Sequence, residues 1–377
     1  MADDPDEGML SWDESVFRDE HVFEIDYVPE TFAHRESEMR NLKYALRPAA
    51  RGSRPLNVIA RGPPGTGKTT AVQKVFGELG AQTDVRTVRV NCQVDSTRYS
   101  VFSRVFEGIF DYEPPSSGIS FKKLFRQITE KLVEDDEVLV VALDDVNYLF
   151  YESEASDTLY SLLRAHEAHS GAKIGVIVVS SDLNLDVIED LDGRVQSVFR
   201  PEEVYFPVYD REEIADILGN RVERGFHDGV ISPEVLDRVT ELTAESGDLR
   251  VGIDLLRRAG LNAEMRASRT VSIEDVEAAY EKSKYVHLSH SLRALSDSEV
   301  ELLAVIAEHD GEQAGDVYDA FHERTGLGYT RYSEIINKLD QLDIIDATYT
   351  NVEGRGRSRQ LSLRYEPDAV LNRLEEQ

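Results

Sequence analysis

One octapeptide constrains this chain more than any other feature. Gly62-Pro63-Pro64-Gly65-Thr66-Gly67-Lys68-Thr69 fits G-x-x-x-x-G-K-[ST]. It follows a strand-like apolar run at 56–60 and leads into a helix beginning near Gly67. A strand that turns sharply into a helix presents backbone N–H groups and the positive helix end to an anion. Lys68 would reach the β- and γ-phosphates, and the Thr69 hydroxyl would bind Mg²⁺. The nucleotide-contacting set is then Gly62, Pro63, Pro64, Gly65, Thr66, Gly67, Lys68, Thr69 and Thr70. A plain Gly/Pro turn before a helix, with a chance lysine, is the competing reading; the strand–loop–helix context weighs against it.

A Mg²⁺ site needs a second anchor. The apolar run 138–143 leads directly into Asp144-Asp145. A carboxylate ending a buried strand beside the first strand suits a Walker B aspartate, so Asp144 is the metal-side candidate, with Thr69. Asp145 would orient or deprotonate the attacking water. Two acids merely capping a strand are the bland alternative. Further strands are expected at 85–91, 174–180 and 204–206, with helices between them. That alternation is the signature of a doubly wound parallel sheet. The strand at 85–91, between the loop and the aspartates, marks the additional-strand branch of P-loop enzymes and favours ATP.

The chain has 377 residues, 42 basic and 72 acidic, and a net charge of −30. No unbroken apolar run exceeds six residues, so no membrane span is expected. The acidic N-terminus does not resemble a secretory leader, and the single cysteine, Cys92, allows no disulfide framework. These features lead to the expectation of a soluble, intracellular protein. A polyanion is a poor partner for a duplex. Yet the basic residues are 32 Arg and only 10 Lys, and acid is spread along the whole chain. Such a surface suits a very salty cell interior, where self-repulsion is screened. A mesophilic protein with acidic tails is the other source of this composition.

Four segments are expected: an acidic tail (1–20), a nucleotide-binding base (21–207), a helical lid (208–290) and a C-terminal domain (291–377). Ser272 with Asp275, and Ser296 with Glu299, form capping-box patterns that open helices. Helices at 296–309, 315–324 and 330–342, then strands at 344–350 and 360–363, make a winged helix. In the third helix Tyr332, Ile335, Ile336 and Leu339 form one apolar stripe. Arg331 and Lys338 lie on the opposite, polar face, which would enter the major groove. The turn between the strands carries Arg355, Arg357 and Arg359; residues 351–364 are net +3 in a domain that is net −9. A basic tip on an acidic domain is what a DNA wing needs. A protein-binding winged helix with a basic turn is the alternative.

These motifs, in this order, resemble the archaeal AAA+ replication initiators of the origin-recognition/cell-division-control type, over nearly the whole chain. Asp26-Tyr27-Val28-Pro29-Glu30, His34-Arg35-Glu36 and Leu46-Arg47-Pro48 resemble the segment that helps enclose adenine. Val90-Asn91-Cys92 and Thr97 resemble "vNC…dT", and Leu143 to Leu149 resembles "LDEiDyL". Ser180-Ser181-Asp182-Leu183 stands where the family has "SNDL", and Leu191-Asp192-Gly193-Arg194-Val195 where it has "LDpRV". Phe206-Pro207-Val208-Tyr209 matches "FppY", and Gly247-Asp248-Leu249-Arg250 resembles "GDaR".

The resemblance implies an AAA+ base with a helical lid and a winged helix. It adds Val28, Arg35, Tyr209 and Arg250 to the nucleotide set. It makes Ser181 the sensor-1 residue and Arg194 a finger for ATP held by a neighbouring subunit. Two positions depart from the pattern: Asp145 replaces Glu, and Ser181 replaces Asn. Both handle the lytic water, so binding of ATP or ADP is expected to be better preserved than turnover. The implied partners are double-stranded origin DNA, the replicative helicase, and copies of itself or paralogues. A regulatory paralogue without productive hydrolysis, and a AAA+ remodelling enzyme whose winged helix binds protein, are the other readings.

Overall fold

The computed structural model describes residues 15–24, 26–115, 119–183, 185–293, 295–342, 344–352 and 356–375. Five parallel strands form the first sheet: β1 (Val58–Arg61), β2 (Arg86–Asn91), β3 (Val138–Asp144), β4 (Lys173–Ser180) and β5 (Glu202–Tyr205). Their order is β2-β3-β4-β1-β5. Every residue of β3 and all but the first of β4 are buried, whereas β2 and β5 alternate with exposed positions. Continuous apolar strands take the centre of a parallel sheet and mixed ones the edges. This order corrects one sequence expectation: β3 is not beside β1, because β4 lies between them.

Helices α1 (Glu36–Leu46), α2 (Lys68–Gln82), α3 (Arg98–Phe110), α4 (Phe121–Glu134), α5 (Asn147–Tyr151), α6 (Ala155–Leu163), α7 (Ala165–Ala168) and α8 (Gly193–Gln196) belong with this sheet. They cover it on two sides, so it has two cores. One contains Leu42, Val72 and Phe76 from α1 and α2; the other contains Phe102, Phe106 and Ile128 from α3 and α4.

Helices α9 (Arg211–Gly225), α10 (Pro233–Ser246) and α11 (Leu249–Met265) follow, each opened by an aspartate or serine cap: Asp210, Ser232 and Asp248. Residues 15–20 do not belong to a tail. Val16, Phe17, Val22 and Phe23 are buried. Phe17 stacks on Phe226 at 4.9 Å between ring centroids, and Arg18 N–H donates to the Gly225 carbonyl at 2.8 Å. The apolar pairs Val16-Phe17 and Val22-Phe23 drive this packing onto α9 and α11 despite their acidic neighbours. The rest of the expected tail, residues 1–14, lies outside the described residues.

The chain divides into two compact units, residues 1–276 and 277–377. The second contains α13 (Asp297–Glu308), α14 (Ala314–Thr325), α15 (Tyr329–Gln341) and the antiparallel pair β6 (Ile345–Val352) and β7 (Gly356–Leu363); α12 (Ile273–Arg293) runs into it. Tyr332, Ile335, Ile336 and Leu339 of α15 form the buried stripe expected of the third helix. A further helix, α16 (Pro367–Glu375), packs on α13 through the buried Val370, beyond the two strands at which the sequence expectation ends.

Candidate functional site

The phosphate loop owes its shape to its glycines. Gly62, Gly65 and Gly67 have φ of 152°, 68° and 90°. A Cβ on Gly65 would lie 1.9 Å from Asp248 Oδ1, and one on Gly67 would lie 2.9 Å from Phe32 and 3.0 Å from the Tyr209 hydroxyl. Only backbone fits these places. Lys68, buried at the start of α2, donates Nζ to the carbonyls of Gly62 (2.7 Å) and Pro63 (2.6 Å). Burial pushes its amine down to about 8, against the pull of Asp145. Thr66 anchors the turn by donating to the Pro63 carbonyl at 2.8 Å.

Asp144 closes β3 at 4% exposure, and both of its oxygens are engaged. Oδ1 accepts from the Thr69 hydroxyl at 3.1 Å, and Oδ2 pairs with Arg89 Nη1 at 2.9 Å. The two residues expected to hold the metal are thus in contact. Asp145 follows with φ of 54°, a left-handed conformation that costs a non-glycine residue about 1 kcal/mol. Burial, and then the charge of Asp144, raise its carboxyl above the ordinary range. Ser181 comes one residue after β4, half-buried. Because β4 separates β1 from β3, this position falls between the ends of the phosphate-loop strand and the Asp144 strand.

Arg35 is 1% exposed. It donates to the carbonyls of Thr66 (3.0 Å), His34 (2.8 Å) and Pro207 (2.6 Å), with its guanidinium 3.6 Å above the Tyr209 ring. It therefore braces the loop and Tyr209, itself buried and with its hydroxyl pushed up to about 12 by desolvation. Arg250 opens α11 and is bonded to the cap residue Asp248 at 2.6 Å. Arg194 stands on the one-turn α8 with its side chain 56% exposed, bonded to Asp192 and to Asp157 (3.1 Å). Val28 is exposed at the surface, and Pro63, Pro64 and Thr70 lie on the rim and first turn. Sequence reasoning missed Arg89 and Phe32, and gave Asp248 no role beyond its place in the motif with Arg250. Arg89 could have been noticed as a lone cation in the Val88-Arg89-Val90 run.

In the second unit Lys338 and Arg331 are not free on a polar face. Lys338 Nζ pairs with Glu299 Oε2 at 2.7 Å, and Arg331 pairs with Glu299 Oε1 at 3.4 Å and Glu334 at 3.3 Å. Glu299, third residue of α13, has a side chain only 5% exposed and also accepts from Ser296 N–H at 2.8 Å. Arg359 donates to Asn337 Oδ1 at 2.9 Å, joining β7 to α15. Arg357 is paired with Asn351 in the backbone register of the hairpin; Arg355 lies outside the described residues. Asn337-Lys338-Leu339-Asp340 has the letters of the guanine-reading N-K-x-D pattern. Its polar side chains are engaged within α15's own unit, Asp340 by the Ala347 N–H at 3.3 Å.

The sheet order, the phosphate loop and the capped helices after it define an AAA+ nucleotide-binding protein. Residues 51–186 match the AAA domain family, and residues 215–281 match the Cdc6 AAA+ ATPase-type lid domain. The chain is 80% identical, over 99% of its length and all of the relative's, to ORC1-type DNA replication protein 3 of Haloarcula marismortui. It is 71% identical, with 99% and 100% coverage, to ORC1-type DNA replication protein 6 of Halobacterium salinarum. Both relatives come from halophilic archaea. Among solved structures, the Aeropyrum pernix ORC1 protein in complex with DNA is 30% identical, with a TM-score of 0.80, covering 97% of this chain and 98% of that one. This chain belongs to the ORC1-type DNA replication proteins, the Orc1/Cdc6 family of replication initiators. Among its described residues no helix is long and apolar enough to cross a membrane.

Proposed function

We propose that this initiator recognises double-stranded origin DNA through its winged-helix unit and helps recruit or load the replicative helicase under the control of bound ATP or ADP. The observation that carries the reading is a prepared phosphate and metal site in the same chain as a reader helix tied to its wing through Arg359 and Asn337. The DNA-bound relative, alike over nearly the full length, supports the DNA partner.

The donor set fits nucleotide and Mg²⁺. Gly65 and Gly67 form a cradle that a Cβ would fill, and Lys68 stands in the loop. Thr69 and Asp144 supply the hard oxygen ligands that Mg²⁺ takes. Bound Mg²⁺ would neutralise charge on the phosphate oxygens. Lys68 would exchange its carbonyl partners for phosphate, while Arg35 holds the loop and Tyr209 in place. Arg194, exposed on α8, would reach ATP bound to another copy or a paralogue. Asp145 is one methylene shorter than the family's glutamate and Ser181 lacks an amide, so the chain retains nucleotide longer than it turns it over.

A genomic footprint with and without ATP tests the DNA reading. Protection of repeated origin elements that weakens when Arg355, Arg357 and Arg359 are all changed to Ala supports it; unaltered duplex binding by that variant refutes it. Single-turnover hydrolysis in molar KCl, wild type beside Asp145→Glu, tests the slow-turnover reading. A faster Glu variant is expected, and equal rates would refute it. A regulatory paralogue that binds nucleotide and DNA without firing an origin is the second reading, favoured by the same two residues.

A further inference from the structure

The Walker B carboxylate has a partner with no role assigned so far. Arg89 lies on β2, an edge strand in register with β3, with Arg89 opposite Ala142 and Asn91 opposite Asp144. The alternation of β2 sends Val88 and Val90 into the core behind the sheet and leaves Arg89 and Asn91 on the other face. From there the guanidinium reaches diagonally along the ladder to Asp144 Oδ2 at 2.9 Å. The two ends of this pair differ. Asp144 is shielded, its side chain 6% exposed, while Arg89 keeps 38% of its side chain in solvent. The carboxylate is fixed and the cation has room to leave.

We infer that Arg89 is a competing counter-ion for the metal: it neutralises Asp144 and sets the Mg²⁺ concentration at which nucleotide is locked into the site. Thr69 holds Oδ1 and Arg89 holds Oδ2, so the carboxylate is aimed from both sides. A divalent cation approaching Asp144 meets the positive charge of Arg89 as well as that of Lys68. Repulsion between like charges at such a shielded group is strong enough to shift metal affinity by an order of magnitude. Arg89 acts through Asp144 and is a positioning residue. The inference rests on the proposed nucleotide and Mg²⁺ site.

The test is a Mg²⁺ titration of the full-length protein in molar KCl with a fluorescent ATP analogue already bound in EDTA, reading the Mg²⁺ half-point for tightened binding. Arg89→Gln should lower that half-point about tenfold. Arg89→Lys, which keeps the charge, should stay within about threefold of wild type. The half-point is read on the nucleotide-binding fraction, so partial unfolding of a variant lowers amplitude and not position. A half-point that is unmoved or raised in Arg89→Gln overturns the inference alone. Failure of the wild type to bind the nucleotide at any Mg²⁺ concentration overturns the underlying site as well.

Discussion

Replacing Arg35 by Lys keeps one positive charge and most of the stem, yet it should disable the nucleotide site. The guanidinium is 1% exposed and donates to three diverging carbonyls, those of Thr66, His34 and Pro207, at 3.0, 2.8 and 2.6 Å. A planar fork can meet all three, whereas an ammonium at the end of a flexible stem cannot. Two lost hydrogen bonds to a charged group cost about 1.5–3 kcal/mol each, and loss of stacking on Tyr209 about 1 kcal/mol more. Water entering the gap returns part of this, leaving about 3–4 kcal/mol. That is a large share of the 5–15 kcal/mol typical of a domain. Native-state hydrogen exchange of amides in β1 and α2 measures the loss as an opening free energy. Fluorescent-nucleotide binding should weaken at least tenfold, because Thr66 belongs to the loop and the Tyr209 hydroxyl abuts Gly67. An opening free energy within about 1 kcal/mol of wild type would refute the brace, and full destabilisation with unchanged nucleotide affinity would refute its link to the site.

Three further outcomes can be checked. Gly65→Ala places a Cβ 1.9 Å from Asp248 Oδ1 at a φ of +68°, so nucleotide affinity should fall about a hundredfold by fluorescence titration. Phe17→Ala removes a ring stacked on Phe226 and should cost about 3 kcal/mol, read as lost exchange protection in α9 and α11. Burial tends to raise the Glu299 carboxyl, but hydrogen bonds from Lys338 and Ser296 outweigh it and hold the group below the usual glutamate range. Its stabilisation is therefore present above that range and is lost as pH falls through the depressed value. Glu299→Gln should flatten the acid limb of the full chain's calorimetric melting profile, cost about 1 kcal/mol at neutral pH, and strengthen duplex binding severalfold by releasing Lys338, while Arg331 keeps its pair with Glu334.

Local signals were legible in the sequence where one segment carries its own instruction. The phosphate loop, the five strands of the first sheet and the capping boxes at Ser272 and Ser296 all depend on neighbours a few positions away. What escaped depends on distant partners. The place of β4 between β1 and β3 follows from competition among strands for the buried centre. Phe17 finds Phe226 only after more than half the chain has been laid down. α16 is short, and its burial of Val370 needs α13 to exist first. In the site, Thr69 and Asp144 were found because each ends a recognisable motif. Arg89 has no motif, and its role appears only in the register of β2 on β3. Arg331 and Lys338 look free on a helical wheel because the wheel omits Glu299.

The aromatic contact between Phe17 and Phe226 has a consequence for biosynthesis. The first partner segment leaves the ribosome about 200 residues before the second, a wait of roughly 10–40 s at ordinary elongation rates. Throughout that interval Val16, Phe17, Val22 and Phe23 lack the α9 and α11 surfaces against which the finished protein buries them. Asp13, Glu14, Asp19, Glu20 and Glu24 are interleaved with them in the sequence. Their charges act as gatekeepers against premature association. The acidity of this stretch thus serves the unfinished chain first, and only later the finished one.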